Sequence, residues 1–205
     1  MNAISSTTLE SIHKAAKAEF LEKGFQSASL RRIVKSVGMT TGAFYGYYKS
    51  KEELFEALVG EHYRFMIRRF KEAQSEFAAL PPALQPENLS SISGSGMFDM
   101  LYYAYDHLEE FKLILCCSQG TQFAGMIDEM VAIETQATHD YLAVLDSLGR
   151  PAPPISPTLE HILITGMFNA FFELILHEMP LTEAEHYLTD MRAFYTAGWM
   201  KIMGQ

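Results

Sequence analysis

Polar side chains that could bind an anionic partner concentrate between Ser29 and Leu54, in SLRRIVKSVGMTTGAFYGYYKSKEEL. Hydroxyl and ammonium groups donate hydrogen bonds to phosphate oxygens and base edges, and a residue with little or no side chain lets the backbone approach a rigid partner. Residues of these kinds are Ser29, Thr40, Thr41, Gly42, Ala43, Tyr45, Tyr47, Lys49 and Lys51. The stretch therefore predicts a surface that recognises phosphates and base edges through hydrogen bonds.

Three helices are predicted to position those groups. The i, i+3, i+4, i+7 spacing of a short helix with one buried face is found at Leu30, Ile33, Val34 and Val37. Gly38 permits the left-handed turn that ends this helix, and Thr40 is a side-chain cap for a second helix over Thr41–Tyr48. Ser50 and Glu53 form an S-x-x-E capping box that opens a third helix. Helix, tight glycine turn and helix together outline a helix-turn-helix.

The second of these helices contains two glycines, Gly42 and Gly46, each of which costs about 1 kcal/mol relative to alanine. Such a weak helix is expected where the backbone must come close to a partner. Phe44 and Tyr48, four residues apart, are expected to face the first short helix. The alternative is an ordinary turn between two core helices with half-buried tyrosines, but it does not account for the cap, the glycines and the lysines together.

Taken in order, these residues resemble a known DNA-binding domain. The run GMTTGAFYGYYKSKEELF, preceded by SLRRIVKSVG and by a long helix ending in Lys23-Gly24-Phe25, is similar to the DNA-binding domain of TetR/AcrR-type transcriptional regulators over roughly residues 6 to 66. The resemblance implies that DNA is contacted by Thr40, Thr41, Gly42, Ala43, Tyr45 and Tyr47, with Lys49 and Lys51 near phosphates. The family usually has a larger side chain where this chain has Gly46, so the resemblance carries no base contact to that position.

The charge distribution favours the same interpretation. The chain has 205 residues, 48% of them hydrophobic, and a net charge of −9, which by itself argues against a nucleic-acid partner. Residues 1–51 nevertheless hold eight of the 16 basic and three of the 25 acidic residues, a balance of +5 that leaves −14 for the remainder. A basic N-terminal quarter on an acidic body is the asymmetry expected of a DNA-binding head on a soluble regulatory body.

Helical periodicity continues along the chain, with no convincing alternating strand and no internal repeat. A first helix is predicted over Leu9–Lys23, opened by a capping box at Thr7 and ended by Gly24, with a loose or disordered arm before it. A long helix follows over Lys51–Phe77, and residues 81–96, rich in Pro, Ser and Gly, are predicted to form a loop. Further helices are predicted over Met97–Leu108, Glu110–Ser118, Gln122–Leu148, Pro157–Glu178 and Thr182–Met203.

The predicted architecture is all-α, with an N-terminal three-helix helix-turn-helix domain and a C-terminal helical ligand-binding and dimerisation domain. We place the DNA-binding head at residues 1–50, a linking helix at 51–80 and the regulatory and dimerisation domain at 81–205. The last two helices are apolar nearly all round, which indicates a four-helix contact across a two-fold axis, although burial within the monomer is the alternative. The predicted dimer contacts are Ile164, Phe168, Phe172, Ile175, Met191, Phe194, Tyr195 and Trp199. The resemblance implies the same homodimer.

Methionines and aromatic residues of the C-terminal domain suit a pocket for an apolar or aromatic molecule, although they are also ordinary core formers. The candidates are Met97, Phe98, Tyr102, Tyr105, Phe123, Met126, Met130, Met167, Phe168 and Phe171. An acidic residue near aromatic rings would attract a cationic ligand. The resemblance implies that a small-molecule effector is sensed in this domain.

No Ser/His/Asp pattern, phosphate loop or metal motif is found, so we predict neither an enzyme nor a cofactor nor a metal site. The adjacent Cys116 and Cys117 do not suit an ordinary structural disulfide; they are either buried, inert thiols or an oxidant sensor near a positive charge such as Lys112. The sequence has no apolar run of about 18 residues and no signal peptide, so we expect a cytoplasmic protein without a membrane partner.

These patterns together predict a ligand-responsive transcriptional regulator that binds double-stranded DNA as a homodimer. The resemblance implies a repressor that a small apolar or aromatic molecule releases from a pseudo-palindromic operator. Two alternatives stay open: a thiol-based redox-sensing regulator that uses Cys116 and Cys117, and a helical protein-interaction module without specific DNA binding. Changes at Thr41 or Tyr45 are expected to relax sequence preference, whereas loss of Lys51 is expected to weaken binding to all DNA alike.

Overall fold

The computed structural model describes residues 3–205, without the side chains of residues 3–6 and 90–95. No strand occurs in this described part, which confirms the predicted all-α fold. The α-helices are α1 (Ala3–Ser27), α2 (Leu30–Ser36), α3 (Thr41–Phe44), α4 (Lys51–Ala78), α5 (Gln85–Asp106), α6 (Leu108–Lys112), α7 (Met126–Ser147), α8 (Pro157–Leu176) and α9 (Leu181–Ile202). A 3₁₀ turn, Pro82–Leu84, precedes α5, and a π-helical turn, Leu113–Cys117, follows α6.

The chain divides into two compact units. The first comprises Met1–Phe65 and His107–Met126, and the second comprises Met66–Asp106 and Ile127–Gln205. By packing, therefore, the first unit is larger than the predicted head of residues 1–50, because a later segment of the chain returns to it.

Aromatic side chains form the centre of the first unit. The ring of Phe55 lies 5.1 Å from that of Phe20 and 5.2 Å from that of Phe25, edge to face in both cases. Phe123, from the segment that returns to this unit, lies 6.2 Å from Phe55. Edge-to-face aromatic pairs stabilise a core beyond the area they bury. This cluster fixes α1 and α4 as the support on which the shorter helices rest.

Helix α1 differs from the predicted helix at its start. It begins at Ala3 rather than Leu9, so Thr7 lies inside the helix and is not the predicted N-cap. The sequence from Ala3 to Thr8 contains no proline or glycine that would stop a helix. At the other end Gly24 has φ +70° and interrupts the regular helix, as predicted. The loose arm predicted before Thr7 is wrong for residues 3–6, which belong to α1, while Met1 and Asn2 lie outside the described residues.

The predicted loop over residues 81–96 is wrong. A 3₁₀ turn with Pro82 at its start leads directly into α5, whose first residue is Gln85. The glycine at position 96 reflects packing rather than a turn, because a Cβ there would lie 2.7 Å from the Cβ of Ala73 on α4. Close approach of two helices favours glycine just as a turn does, and the sequence alone does not separate the two causes.

Helix α8 is the most apolar helix of the second unit. By length and composition it could cross a membrane, a test that the core helices of soluble proteins also meet. Four of its residues that were predicted to form the dimer interface are instead buried within the chain itself: Ile164, Phe168, Phe172 and Ile175. They lie on the side of α8 that packs inside the second unit, where Phe168 meets Phe70 edge to face at 5.2 Å. The prediction that these four residues contact a partner subunit is therefore wrong.

Candidate nucleic-acid interface

The turn after α2 has the geometry that the sequence predicts. Gly38 has φ +70°, in the left-handed region that favours glycine. Its N–H donates to the Lys35 carbonyl at 3.1 Å, and the Met39 N–H donates to the Val34 carbonyl at 2.8 Å. This pair of bonds is a Schellman motif, which satisfies the last carbonyls of the helix and turns the chain sharply. Ile33 and Val34 bury the inner face of α2.

Helix α3 is shorter than predicted. The Thr40 hydroxyl accepts a hydrogen bond from the Ala43 N–H at 3.1 Å, which confirms the predicted cap. The helix ends at Phe44 rather than Tyr48, and the chain continues in tight turns, with the Tyr47 N–H donating to the Phe44 carbonyl at 2.8 Å. Gly46 lies in this part, and its low helix propensity explains why the regular helix stops.

Side chains of α3 and the turns that follow it separate into an inner and an outer set. Phe44 is fully buried and Tyr48 nearly so, as predicted. Tyr45 is 54% exposed and Tyr47 is 37% exposed. Among the smaller residues, Thr41 is half-buried, and the exposed ones are Thr40, Gly42 and Ala43. The outer set therefore offers hydroxyl groups beside a nearly bare stretch of backbone.

Gly42 has no packing role inside the folded chain. A Cβ at this position would meet only the Thr40 hydroxyl oxygen, at 3.9 Å, which is ordinary van der Waals distance. Its φ is not in the left-handed region either, so an alanine would fit the backbone of α3 without strain. The absence of a side chain at Gly42 is thus not explained by the fold of this chain, and close approach by another molecule would explain it.

The outer set is held by contacts behind it. The Tyr48 hydroxyl lies 2.5 Å from Nε2 of His13 on α1. Burial lowers the pKa of His13, with Lys17 adding to the effect, and burial likewise raises the pKa of Tyr48. The predicted capping box is present at the start of α4, where the Glu53 N–H donates to the Ser50 hydroxyl at 3.2 Å. The C-terminal end of the α3 segment is therefore fixed to two longer helices, α1 and α4.

The structure gives Lys51 a different role from the predicted phosphate contact. Its ammonium donates to the carbonyls of Phe25, Gln26 and Ala28 at 2.6, 3.3 and 3.2 Å. It also lies 4.5 Å from the centre of the Phe25 ring. Lys51 thus ties the end of α1 to the start of α4, and its three donors are already in use. Lys49, by contrast, is exposed.

Ser29, another predicted DNA contact, lies at the start of α2. Its backbone N–H donates to the Glu19 carboxylate at 3.0 Å, while its side chain makes no capping hydrogen bond to α2. The same carboxylate accepts from Arg32 at 3.2 Å. Two further cations on α2, Arg31 and Lys35, are exposed. Exposed cations beside a helix-turn-helix are phosphate-contact candidates, and the sequence pattern indicates Arg31 and Lys35 only through the overall charge balance.

Replacing Lys51 by methionine is expected to lower the free energy of unfolding by about 1–3 kcal/mol, because three carbonyl groups lose a shared charged donor. Lys49→Met removes an exposed ammonium two residues away and is expected to change that free energy by no more than about 0.5 kcal/mol. Urea denaturation followed by circular dichroism measures both. Equal stability losses in the two variants would contradict the structural role of Lys51.

Residues 12–58 match the family described as bacterial regulatory proteins, tetR family. The HTH-type transcriptional regulator UidR of Escherichia coli K12 is 35% identical over 72 residues, 35% of this chain and 37% of that protein. The HTH-type transcriptional repressor AcnR of Corynebacterium diphtheriae is 35% identical over 65 residues, 30% of this chain and 34% of that protein. Residues 12–58 therefore belong to the TetR family.

Solved structures resemble the fold of this chain over most of its length. A member of the family from Streptomyces coelicolor A3 has a TM-score of 0.60 at 13% identity, covering 90% of this chain and 88% of its own. A tetR-family regulatory protein from Rhodococcus RHA1 has a TM-score of 0.56 at 16% identity, covering 91% and 95%. The likeness at these identities concerns the fold. The sequence matches to UidR and AcnR cover only about a third of each relative.

The second unit contains a cavity of about 120 Å³ between α4, α5, α7, α8 and α9. Of the ten predicted pocket residues, Met97 and Met167 line it. The remaining wall is largely aromatic and apolar, and it includes Phe70, Phe77, Leu89, Tyr141, Leu188, Met191, Tyr195, Trp199 and Met203. Three of the residues predicted for the dimer interface, Met191, Tyr195 and Trp199, are thus half-buried around this cavity.

Two polar groups of opposite charge also line the cavity. Glu134 on α7 accepts a hydrogen bond from the Gln74 amide at 2.7 Å. Burial raises the pKa of the Glu134 carboxyl to about 7, and the bond from Gln74 opposes that rise. Arg192 lies on α9, with its guanidinium 5.4 Å from the centre of the Phe98 ring. Both residues were absent from the predicted pocket, because the sequence does not show which polar positions of α7 and α9 face inward.

The other predicted pocket residues lie elsewhere. Tyr102 is exposed and donates to Glu185 at 2.7 Å, and Tyr105 donates to the Leu174 and Met179 carbonyls at 3.1 and 2.8 Å. Phe123 belongs to the first unit, where its ring lies 5.4 Å from that of Tyr63. The fully or nearly fully buried candidates are Met126, Met130, Phe168 and Phe171. Only two of the predicted residues are therefore brought together at this cavity.

The two adjacent cysteines lie in different surroundings. Cys116 is exposed, and Cys117 is buried. Burial raises the pKa of the Cys117 thiol, and Cys116 adds to that effect. A thiol that is harder to ionise is a poorer nucleophile toward oxidants. Cys117 therefore matches the inert interpretation better than the sensor interpretation.

Proposed function

We propose that this TetR-family protein is a DNA-binding transcriptional regulator whose recognition surface is the outer face of α3 and the turns after it. One observation carries the proposal: Tyr45 and Tyr47 are exposed, and the space that a side chain at Gly42 would fill is open. Phe44 and Tyr48 hold the same segment from its buried side. An exposed hydroxyl-bearing turn on a fixed support matches the way a recognition helix enters a major groove. Lys49, Arg31 and Lys35 are the proposed phosphate contacts.

The DNA-binding proposal is tested by gel-shift titration of the full chain against genomic fragments at two salt concentrations. A sequence-selective shift that weakens steeply with salt is expected, since phosphate contacts release counterions. A folded protein that gives no such shift would overturn the proposal and would favour the protein-interaction alternative. Sequencing the recovered fragments would identify the operator.

Gly42→Ala separates DNA recognition from folding. Alanine is a better helix former by about 1 kcal/mol, so the melting temperature should stay level or rise. A methyl group on the surface closest to the groove should weaken operator binding at least about tenfold if that backbone approaches the bases. Fluorescence anisotropy with the selected operator measures the affinity, and a thermal melt of the same sample is the control. Undiminished affinity would remove Gly42 from the proposed surface.

The protein is also proposed to act as a homodimer through the outer faces of α8 and α9. Ile162 is 59% exposed on α8 and Phe194 is 73% exposed on α9. Leu159 lies one turn before Ile162, and Tyr187 lies two turns before Phe194, and both are exposed too. Residues at these spacings share one side of a helix, so each helix presents an apolar stripe. Large apolar side chains exposed together mark an interaction surface. A dimer would present two recognition surfaces to the half-sites of a pseudo-palindromic operator.

The effector is proposed to bind in the cavity of the second unit. Its aromatic wall, with Trp199 and Tyr195, and the Glu134 carboxyl suit a small aromatic or apolar molecule that carries a basic nitrogen. The cavity of about 120 Å³ is smaller than a drug-sized ligand requires. Its methionines have flexible side chains that can rearrange, so binding would change the packing of the surrounding helices. A ligand that favours the changed state would lower DNA affinity by an allosteric coupling of about 1–3 kcal/mol.

A further inference from the structure

Two histidines and a glutamate that are far apart in the sequence converge in the first unit. They are His62 on α4, His107 just before α6 and Glu110 on α6, and one ligand atom from each lies within 4.8 Å of the others. The two imidazole rings are 4.4 Å apart, measured between ring centres. All three side chains are half-buried. The sequence does not predict a metal site here, because these three residues lack the spacing of a metal-ligand motif along the chain.

Two imidazole nitrogens and one carboxylate oxygen are a ligand set that binds first-row divalent metal ions with a further position open to water. Bonds of about 2.0–2.2 Å to a tetrahedral Zn²⁺ place ligand atoms roughly 3.3 Å apart, so the three side chains would have to contract around an ion. The proposed site requires the three half-buried side chains to rotate toward the ion. We propose that His62, His107 and Glu110 bind a divalent transition-metal ion of the Zn²⁺ class.

Metal binding at this site would act on the helix that supports the recognition surface. Glu110 accepts a close hydrogen bond from the Lys17 ammonium on α1, and Glu109 accepts from the same group at 3.2 Å. A divalent cation on Glu110 competes with Lys17 for the carboxylate and repels the ammonium. The ion would thus join α4 to α6 while it weakens the tie between α6 and α1.

Helix α1 in turn positions the α2 and α3 segment. His13 bonds the Tyr48 hydroxyl, and Glu19 accepts from the Ser29 N–H at the start of α2. A change in how α1 is held would therefore reach both ends of the helix-turn-helix. The metal ion is accordingly a proposed regulator of DNA binding, a step that rests on the proposed function; the binding of the ion does not.

Titration of the untagged, full-length protein with Zn²⁺ by calorimetry, and with Co²⁺ by visible absorption, tests the site. We expect one equivalent of metal ion per chain. Bound Co²⁺ should show the visible absorption bands of a site with few ligands. His62→Gln and His107→Gln should each lower the affinity at least about tenfold. His161→Gln, an exposed histidine on α8, is the matched control and should leave it unchanged. Unchanged stoichiometry and affinity in both folded site variants would overturn the proposal and leave the two rings as ordinary polar packing.

Lys17→Gln tests the coupling to DNA. Removal of the competing ammonium should raise the Zn²⁺ affinity by roughly tenfold or less, because the interaction is partly screened. Operator binding of the wild-type protein, measured by anisotropy, should change on addition of Zn²⁺, and this response should shrink in the variant. Zn²⁺ binding without any change in operator affinity would overturn the proposed coupling to DNA but not the proposed metal site. Loss of the proposed DNA function would instead appear as no operator binding at all, with the metal titration unaffected.

Discussion

Phe194→Asp is expected to convert the protein to monomers and to weaken binding to a two-half-site operator at least about 100-fold. Phe194 is the most exposed large apolar side chain described, and Ile162 on the neighbouring α8 is 59% exposed. Burial of a phenylalanine side chain contributes about 1.5–3 kcal/mol to the free energy of dimer formation. In a two-fold interface one substitution removes this contribution from both subunits. An aspartate in the same place also has to be desolvated. Once the dimer is lost, the second half-site no longer gains from the effective concentration that a linked head provides.

Analytical ultracentrifugation over a range of protein concentrations measures the dimer, and anisotropy with one and with two half-sites measures the DNA binding. Leu84→Asp is the matched control, because Leu84 is also an exposed large apolar residue, 46% exposed, but lies in the 3₁₀ turn before α5. The control should remain dimeric. The proposed interface would be rejected if Phe194→Asp stayed dimeric, or if both variants dissociated alike.

The helix-turn-helix is predictable because its signals are local. Gly38 for the left-handed turn, Thr40 for the cap and the Ser50 box each act within four residues of their own position. The structure therefore reproduces them almost as the sequence predicts, apart from the early end of α3. Phe44 and Tyr48 follow from helical spacing alone, and both are buried.

Features that depend on distant parts of the chain could not be predicted in the same way. Lys51 has the residue type and position of a phosphate contact, but the carbonyls that it binds belong to the end of α1. Gly96 has the type of a loop residue, but Ala73 is what requires it to be small. Residue type specifies what a group can do, whereas the choice among its possible partners is made by tertiary packing.

The buried and exposed faces of α8 show the same limit. An apolar helix with no polar side predicts burial on more than one side, and the sequence does not show which residues meet the chain itself and which meet another molecule. The structure places Phe168 and Phe172 inside and Ile162 outside. The dimer itself stays a prediction. Its contacts on α8 could not be placed from the sequence, because no polar face of this helix marks the side that meets solvent.

Glu134→Gln is expected to stabilise the protein at pH 8 by as much as about 3 kcal/mol while leaving it unchanged at pH 4. The pKa of Glu134 is raised from 4.5 to about 7 in the folded chain by burial. Between these values the unfolded chain releases the proton and the folded chain keeps it, so the folded state binds more protons and stability falls as the pH rises. The stability that the protonated Glu134 carboxyl contributes is complete below pH 4.5 and is lost by about pH 7. A glutamine matches the protonated carboxyl in shape and never ionises, so the variant avoids this loss.

Unfolding free energies at pH 4, 6 and 8, measured at one protein concentration, give the pH profile of each variant. Asp140→Asn, which removes an exposed carboxylate from the same helix, controls for the loss of a surface charge and should keep the wild-type slope.

Glu134→Gln also tests the cavity as an effector site. An aromatic amine should raise the melting temperature of the wild-type protein more than its neutral isostere, because the ammonium stabilises the ionised Glu134, and Glu134→Gln should lose that difference. A wild-type profile that is flat between pH 4.5 and 7 would show that water reaches the Glu134 carboxyl, and the basic nitrogen assigned to the effector would then have no buried partner.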